Sequence, residues 1–254
     1  MTSINPTAAL AQRFTINWLN LADAAVPATI MAPDYQVHIG ATELDGLEPY
    51  TAGTIGQLEQ FPGLALTVHE FVTDGSQLAL VFTEHGASAK HDGRAAAWRG
   101  VALFRCAGGL LAENWTQEDY YARRRQLATG VPDTIPAPAV APWTVDPQPA
   151  DTAAEDTVRS WLGAPVLDGV ELDDGSPLTV DVTGVEVARL FSAGDAVAFA
   201  GRWAGRYAGG VDGVTGTGQP AALGICGVVH VDADRVVGGH VVTDRHGLRR
   251  SLLD

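Results

Sequence analysis

The sequence predicts an α+β protein of two sheet-rich domains, and three observations carry that prediction. Apolar residues recur at helical spacing near the start, runs of apolar–polar alternation follow in both halves, and a proline-dense stretch separates the halves. The length agrees, because 254 residues is two domains' worth of chain at roughly 100–200 residues per domain.

Thr7–Ala25 spaces Leu10, Phe14, Trp18, Leu21 and Ala25 as one helix face, and Pro27–Ile30 resembles a second short helical turn. Tyr50–Gln60 reads as a further helix that ends before Phe61-Pro62-Gly63. An alternating meander follows. VHEFV turns at Asp74-Gly75 into LALVFTEHGAS, then AWRGVALFRC turns at Ala107-Gly108-Gly109 into LLAENWTQEDYYARRRQL. Short strands bounded by Gly and Asp turns are a hairpin signal. Pro132, Pro136, Pro138, Pro142, Pro147 and Pro149 then fall within 18 residues. Proline fixes φ and removes a donor, so this stretch is neither a regular helix nor a central strand. It reads as a semi-rigid linker, with Ile135, Val140 and Trp143 as candidate docking points. Beyond it only Thr152–Leu162 has helical spacing, and Leu167–Pro177 is turn-rich. A second meander follows, with turns at Ala193-Gly194-Asp195 and Asp232-Ala233-Asp234 and an Arg-rich end. The division is therefore a complete domain over 1–130, a linker over 131–150 and a trimmed, mostly sheet copy over 151–254.

Charge excludes several classes. Lys+Arg number 16 against 30 Asp+Glu, a net charge of −14, which opposes nucleic acid or an anionic membrane as main partner. Residues 1–127 carry 13 acids and 8 bases and residues 128–254 carry 17 and 8, so the halves stand at −5 and −9. No run of about 18 apolar residues is present to span a membrane. The N-terminus lacks a basic region followed by an apolar one, and two cysteines make no disulfide framework. A reduced cytoplasmic setting is the expectation. The histidines show no ligand spacing, so no metal is expected; the Gly205–Gly218 segment lacks a nucleotide fingerprint, and the missing GxSxG rules out a hydrolase elbow.

From about Phe14 to Gly130 the chain resembles the SnoaL-like polyketide cyclases of the nuclear-transport-factor-2-like (cystatin-like) superfamily. The residues carrying the resemblance are Ala32–His38, Gly46, Phe61–Leu64, Asp74-Gly75, Leu80–Gly86 and Glu113–Asp119, closing on an Arg/Gln/Leu end. The resemblance implies cone domains, each a strongly curved antiparallel sheet wrapped on helices, with an apolar pocket at the wide end. It also implies cofactor-free acid/base chemistry of the cyclase, dehydratase or isomerase kind, acting in secondary metabolism on an apolar, carbonyl-bearing molecule. Asp119, four residues after Trp115, matches the family's acid/base aspartate.

The residues themselves give a parallel account. Glu113, Trp115, Gln117 and Asp119 share one strand face, and a carboxylate among apolar walls is desolvated toward a useful pKa. The bland alternatives are that Asp119 caps the strand end or pairs with Arg123–Arg125, and that Glu113 faces Arg99 or Arg105. His85 is a candidate proton relay, on the face of Ala79, Val81 and Thr83 with Phe82 and Glu84 opposite. Arg105, where the cyclases carry a histidine, is a candidate to hold an enolate oxygen. Tyr35, His38, Phe82, Trp98 and Trp115 are the candidate substrate-binding residues. Trp98 and Phe104 share one face of their strand, Arg99 and Arg105 the other.

Laid over the first half, the second places Arg245 at Asp119, Val241 at Trp115 and His240 at Asn114, which reads as a copy without the acid/base group. Two functions follow as expectations. One is a lyase or isomerase using Asp119 with His85 or Arg105; the other is a non-catalytic module for hydrophobic ligands or assembly. In either, the two halves form an internal pseudo-dimer, leaving the protein monomeric.

Overall fold

Asn5 starts the first helix by accepting from the Thr7 amide, ahead of a proline at the first helical position. In the computed structural model, which describes residues 4–253, helix α1 (Pro6–Gln12) runs straight into a π-helical segment, Arg13–Asn20. Leu10, Phe14 and Trp18 recur every four residues, which suits the wider π turn. The segment stops short of the expected Ala25, with Leu21 bonding back to Ile16 and Ala22 left-handed at φ 52°. Helix α2 (Pro27–Ile30) leads into strands β1 (Met31–Ile39) and β2 (Thr42–Asp45), then helix α3 (Leu47–Gln60).

The meander supplies β3 (Ala65–Thr73), β4 (Gln77–Ala87), β5 (Ala95–Ala107) and β6 (Leu110–Glu118), followed by helix α4 (Tyr120–Thr129). The sheet order is β2-β1-β6-β5-β4-β3, antiparallel throughout except for the parallel pair β1·β6. Its concave face holds Phe14, Trp18, Ile30, Leu66, Phe82 and Phe104 against the N-terminal helices.

The segment after α4 runs along β3, where Ala139 donates to Val68 O and Gln148 to Thr73 O, at 2.8 and 3.0 Å. Backbone bonds of this kind cover an otherwise open sheet edge. Trp143 docks edge-on against Phe71, with ring centroids 5.8 Å apart. Val140 and Ile135, expected to pack as well, are exposed.

In the second half, helix α5 (Thr152–Gly163) is capped by Asp151 and precedes β7 (Val170–Leu172). Strands β8 (Val180–Ala193), β9 (Ala196–Tyr207), β10 (Pro220–Asp232) and β11 (Arg235–Thr243) and helix α6 (Arg245–Leu253) complete the chain. The order β7-β11-β10-β9-β8, with one parallel pair β7·β11, repeats the first sheet without its β2 edge. The described residues thus form two α+β domains of the cone type, the second trimmed to five strands. Strands β1, β2 and β7 and helices α4 and α6 are elements that periodicity did not reveal.

Strand register fixes which residues correspond. Arg105 pairs Glu113 and Gly100 pairs Glu118, while His230 pairs Gly238 and Ile225 pairs Thr243, an offset of 125 throughout. Asp119 therefore corresponds to Asp244, and Trp115 to His240, one residue away from the sequence overlay. The helix caps agree: Asp119 accepts from Ala122 N and donates its own amide to Arg99 O, and Asp244 does the same with Gly247 and Gly224.

The two sheets pack through their convex faces. Val72, Ala79, Val81, Val101 and Leu103 of the first meet Phe191, Ala198, Ala200, Cys226, Val228 and Val242 of the second. The alanines keep this seam thin. It buries the centre of the first sheet's outer face, while Thr67, His85, Arg99, Arg105 and Trp115 on that face stay half-buried.

Candidate active site

Side chains alternate along a strand, so β6 sends Asn114, Thr116 and Glu118 into the first cone and Trp115, Gln117 and Asp119 toward the seam. On β4, Phe82 and Glu84 point inward. The cone holds a cavity of about 200 Å³. Phe14, Leu19, Val37, Leu66, Phe82 and Ala102 wall it, and Tyr50, Gln57, Glu84, Asn114, Glu118 and Tyr120 make its polar end. Gly100, between Phe82 and Glu118 in the ladder, makes room for the Phe82 ring against β5, since a Cβ there would lie 2.2 Å from the ring's Cζ.

Two carboxyl groups meet at the polar end. Glu84 and Glu118 are buried, at 3% and 7% exposure. Burial, and then the neighbouring Glu118, push the Glu84 carboxyl well above the usual carboxylate range, while the Arg123 charge works the other way. The Glu84 Oε2 accepts from Gln57 Nε2 at 2.5 Å, and the Glu118 Oε2 accepts from Trp98 Nε1 at 2.7 Å. The buried carboxyl neighbour adds to burial in favouring the acid form of Glu84. Two carboxyl groups facing an apolar cavity, one of them held toward its acid form, have the chemistry to give and take a proton.

Asn114 and Thr116 continue the polar lining. The Asn114 amide donates to Leu103 O at 3.2 Å and accepts from the Thr116 hydroxyl at 2.6 Å. Tyr50 accepts from Trp18 Nε1 at 3.2 Å, and burial raises its hydroxyl pKa. None of the cavity-lining residues is Lys, Arg or His.

The structure separates the residues singled out in the sequence. Phe82 lines the cavity, and Trp98 reaches it through its bond to Glu118. Tyr35 is buried behind Tyr50, with ring centroids 5.2 Å apart, and is not part of the lining. Asp119, His85, Arg105, His38 and Trp115 all lie outside the cone. His85 bonds to the Thr67 hydroxyl at 3.0 Å on the convex face, where burial lowers its pKa. Arg105 donates to Glu113 at 3.1 Å, and His38 Nε2 lies 3.2 Å from the same carboxylate. Trp115 stacks on His38 with centroids 5.2 Å apart, beside an open cleft between the domains.

Asp119 is 1% exposed and belongs to a cluster that joins the domains. The Arg245 guanidinium contacts it and also reaches Asp173 at 3.3 Å and Asp174 at 2.9 Å. Arg125 links Asp174 to Asp133 at 3.2 and 2.6 Å. Burial raises the Asp119 carboxyl and Arg245 opposes the shift; Asp173, for the same reasons in the same order, is pushed up to about 7. Asp119 is thus paired by the second domain rather than by Arg123–Arg125.

In the second cone the register places Trp203 at the position of Glu84 and Thr243 at that of Glu118. Trp203 is fully buried, donates to Leu162 O at 2.9 Å and packs against Trp161. The interior is filled where the first is hollow. Among the described residues no cluster of three His, Cys, Asp or Glu is placed to hold a metal, and no helix is long and apolar enough to cross a membrane.

A curved sheet on helices around an apolar cavity with a carboxyl pair defines the first half as an α+β cone domain. Residues 9–127 match the model of the SnoaL-like polyketide cyclase family, so the first domain is similar to that family. Similar solved structures include a candidate SnoaL-like polyketide cyclase from Jannaschia sp. CCS1, at 19% identity over 50% of this chain and 96% of that one, TM-score 0.46. TsrD from Streptomyces laurentii is 22% identical over 48% and 94% of the two chains, TM-score 0.44. IdmH from Streptomyces antibioticus is 21% identical over 48% and 98%, TM-score 0.43. No curated protein matches the chain.

Proposed function

We propose that the first domain is a cyclase- or isomerase-type enzyme that moves protons on an apolar, carbonyl-bearing small molecule, with Glu118 and Glu84 as its base and acid. The observation that carries the reading is the buried carboxyl pair at the polar end of an otherwise apolar cavity. The Glu118 carboxylate removes a proton from the carbon next to a carbonyl, and the Glu84 acid delivers its proton to the carbonyl oxygen. The product of that step is an enol. Its carbon then either attacks a second carbonyl and closes a ring, or takes back a proton at another position. Asp119, the expected acid/base group, holds Arg245 in this account, and the second domain is the built-in partner that closes the sheet's outer face.

The test needs no knowledge of the natural substrate. In D2O, an apolar bicyclic ketone such as 2-tetralone loses its α-hydrogens, and NMR follows the exchange. The wild type is expected to accelerate it, Glu118→Gln to abolish the acceleration, and Asp119→Asn to retain it. Removing a positioned general base costs roughly 10²–10⁴-fold. Acceleration that survives Glu118→Gln but not Asp119→Asn would return the chemistry to Asp119. Binding of the ketone without exchange would favour a ligand-binding module.

A further inference from the structure

Arg123 is a cation without a carboxylate partner in a chain with 30 acids. It forms none of the ion pairs found among the described residues, whereas Arg99, Arg105, Arg125, Arg159 and Arg245 each do. Its guanidinium carbon lies 4.2 Å from the Tyr120 ring centroid, 4.9 Å from Trp98 and 5.5 Å from Phe61. Three aromatic faces at this range make a cation–π box. The Trp98 ring carries the N–H that donates to Glu118, and Tyr120 lines the same cavity end. A positive charge on the face of an indole draws electron density away from its N–H and strengthens that donor. The cation thus stands behind the dyad, screened from the cavity by the rings it touches.

We propose that Arg123 is a positioning residue of the carboxyl pair, holding Glu118 as the ionised member through the Trp98 indole while leaving the cavity itself free of any cation. The inference rests on the acid/base reading of the pair, and adds what fixes the direction of proton transfer. The other titratable groups facing Glu118 are Glu84 on β4, Tyr50 on α3 and Tyr120 on α4. Both tyrosines are neutral at physiological pH because burial raises their hydroxyl pKa values, so Arg123 is the one permanent charge among these neighbours. The Arg123 charge also opposes protonation of Glu84, which is why the test removes that carboxyl first.

The experiment is a carbon-13 NMR titration of carboxyl-labelled Glu118 in a Glu84→Gln background, which leaves one inward carboxyl. Arg123→Met in that background is expected to raise the Glu118 midpoint by roughly 1–3 pH units, the range set by loss of a nearby opposite charge. Arg123→Lys, which keeps a cation over the rings, is expected to recover at least half of that rise. A midpoint unmoved by Arg123→Met, in a variant whose unfolding transition shows it folded, overturns the proposal. So does a midpoint that moves equally in the Met and Lys variants. Should Arg123→Met fail to fold, the Lys variant alone decides alongside Trp98→Phe. That variant keeps a ring under Arg123 but removes the N–H, and is expected to raise the midpoint as well. Failure of the acid/base reading is a separate outcome, read in ketone exchange by Glu118→Gln and not in this titration.

Discussion

Replacing Arg245 with methionine tests the junction between the domains, because it keeps side-chain length and removes the charge. Asp119 and Asp173, each 1% exposed, would then face each other and Asp174 with Arg125 as the remaining cation of the cluster. Taking one partner from a buried charged group costs about 3–5 kcal/mol, because the group left behind is unpaired and out of water. The loss is expected to depend on pH in a defined direction. In the wild type the Asp173 pKa is raised from the ordinary carboxylate value to about 7. The folded state therefore holds a proton that the unfolded chain has released, and this contribution is complete below about pH 4 and lost as pH rises through about 7. At 1.36 kcal/mol per pH unit it amounts to about 4 kcal/mol at most. The Asp174 carboxyl is shifted the other way, so its contribution is present above the ordinary value and is lost in acid below it. Without Arg245, Asp119 and Asp173 take up protons more readily still, and protonation relieves the repulsion. The assay is urea unfolding followed by tryptophan fluorescence, for wild type and Arg245→Met, at about pH 8 and about pH 5. The variant is expected to lose about 3–5 kcal/mol at the higher pH and less than half of that at the lower. An equal loss at both values, or a loss under about 1 kcal/mol at the higher one, would refute the view that buried charge pairing holds the junction.

Two further perturbations read the cones directly. Gly100→Ala drives a methyl group into the Phe82 ring, so the ring must leave its place; about 1–3 kcal/mol of stability and most ketone binding are expected to go, by thermal unfolding and NMR line broadening. Trp203→Ala empties the second cone at the position of Glu84; about 3–5 kcal/mol is expected to go in urea unfolding, with ketone exchange by surviving folded protein unchanged.

Much of the architecture is legible from pattern alone. The alternating runs, their Gly/Asp turns, the α2 turn and the α3 and α5 helices lie where periodicity and turn chemistry place them. Helix α4 was hidden because Arg123, Arg124 and Arg125 blur any apolar face, and α6 because it is short, nine residues, and carries Gly247. Strand β7 is three residues long, too short for alternation to register.

The site was half legible. Parity along β4 already set Phe82 and Glu84 on one face and His85 on the other, and parity along β5 set Trp98 and Phe104 opposite Arg105. What parity alone does not say is which face is the inside. In an ordinary half-exposed sheet the apolar face answers that question. Here the convex face carries Val81, Val101 and Leu103 because the second domain covers it, so both faces look like core. The signal that was available is Phe82 itself: placing it in the pocket places Glu84 there too. Along β6 the resemblance directed attention to Asp119, one residue beyond the inward-facing Glu118.

The central claim is that Glu84 and Glu118 share one proton at neutral pH, and infrared spectroscopy reads it without a substrate. A protonated carboxyl group absorbs well apart from carboxylates. In an Asp173→Asn background, which removes the other carboxyl raised to about 7, such a band is expected at about pH 7, still present when Asp119→Asn is added and lost when Glu84→Gln is added. An Asp173→Asn protein that shows no protonated carboxyl band until the ordinary carboxylate range near pH 4 is reached, or whose band survives Glu84→Gln and disappears with Asp119→Asn, would contradict it.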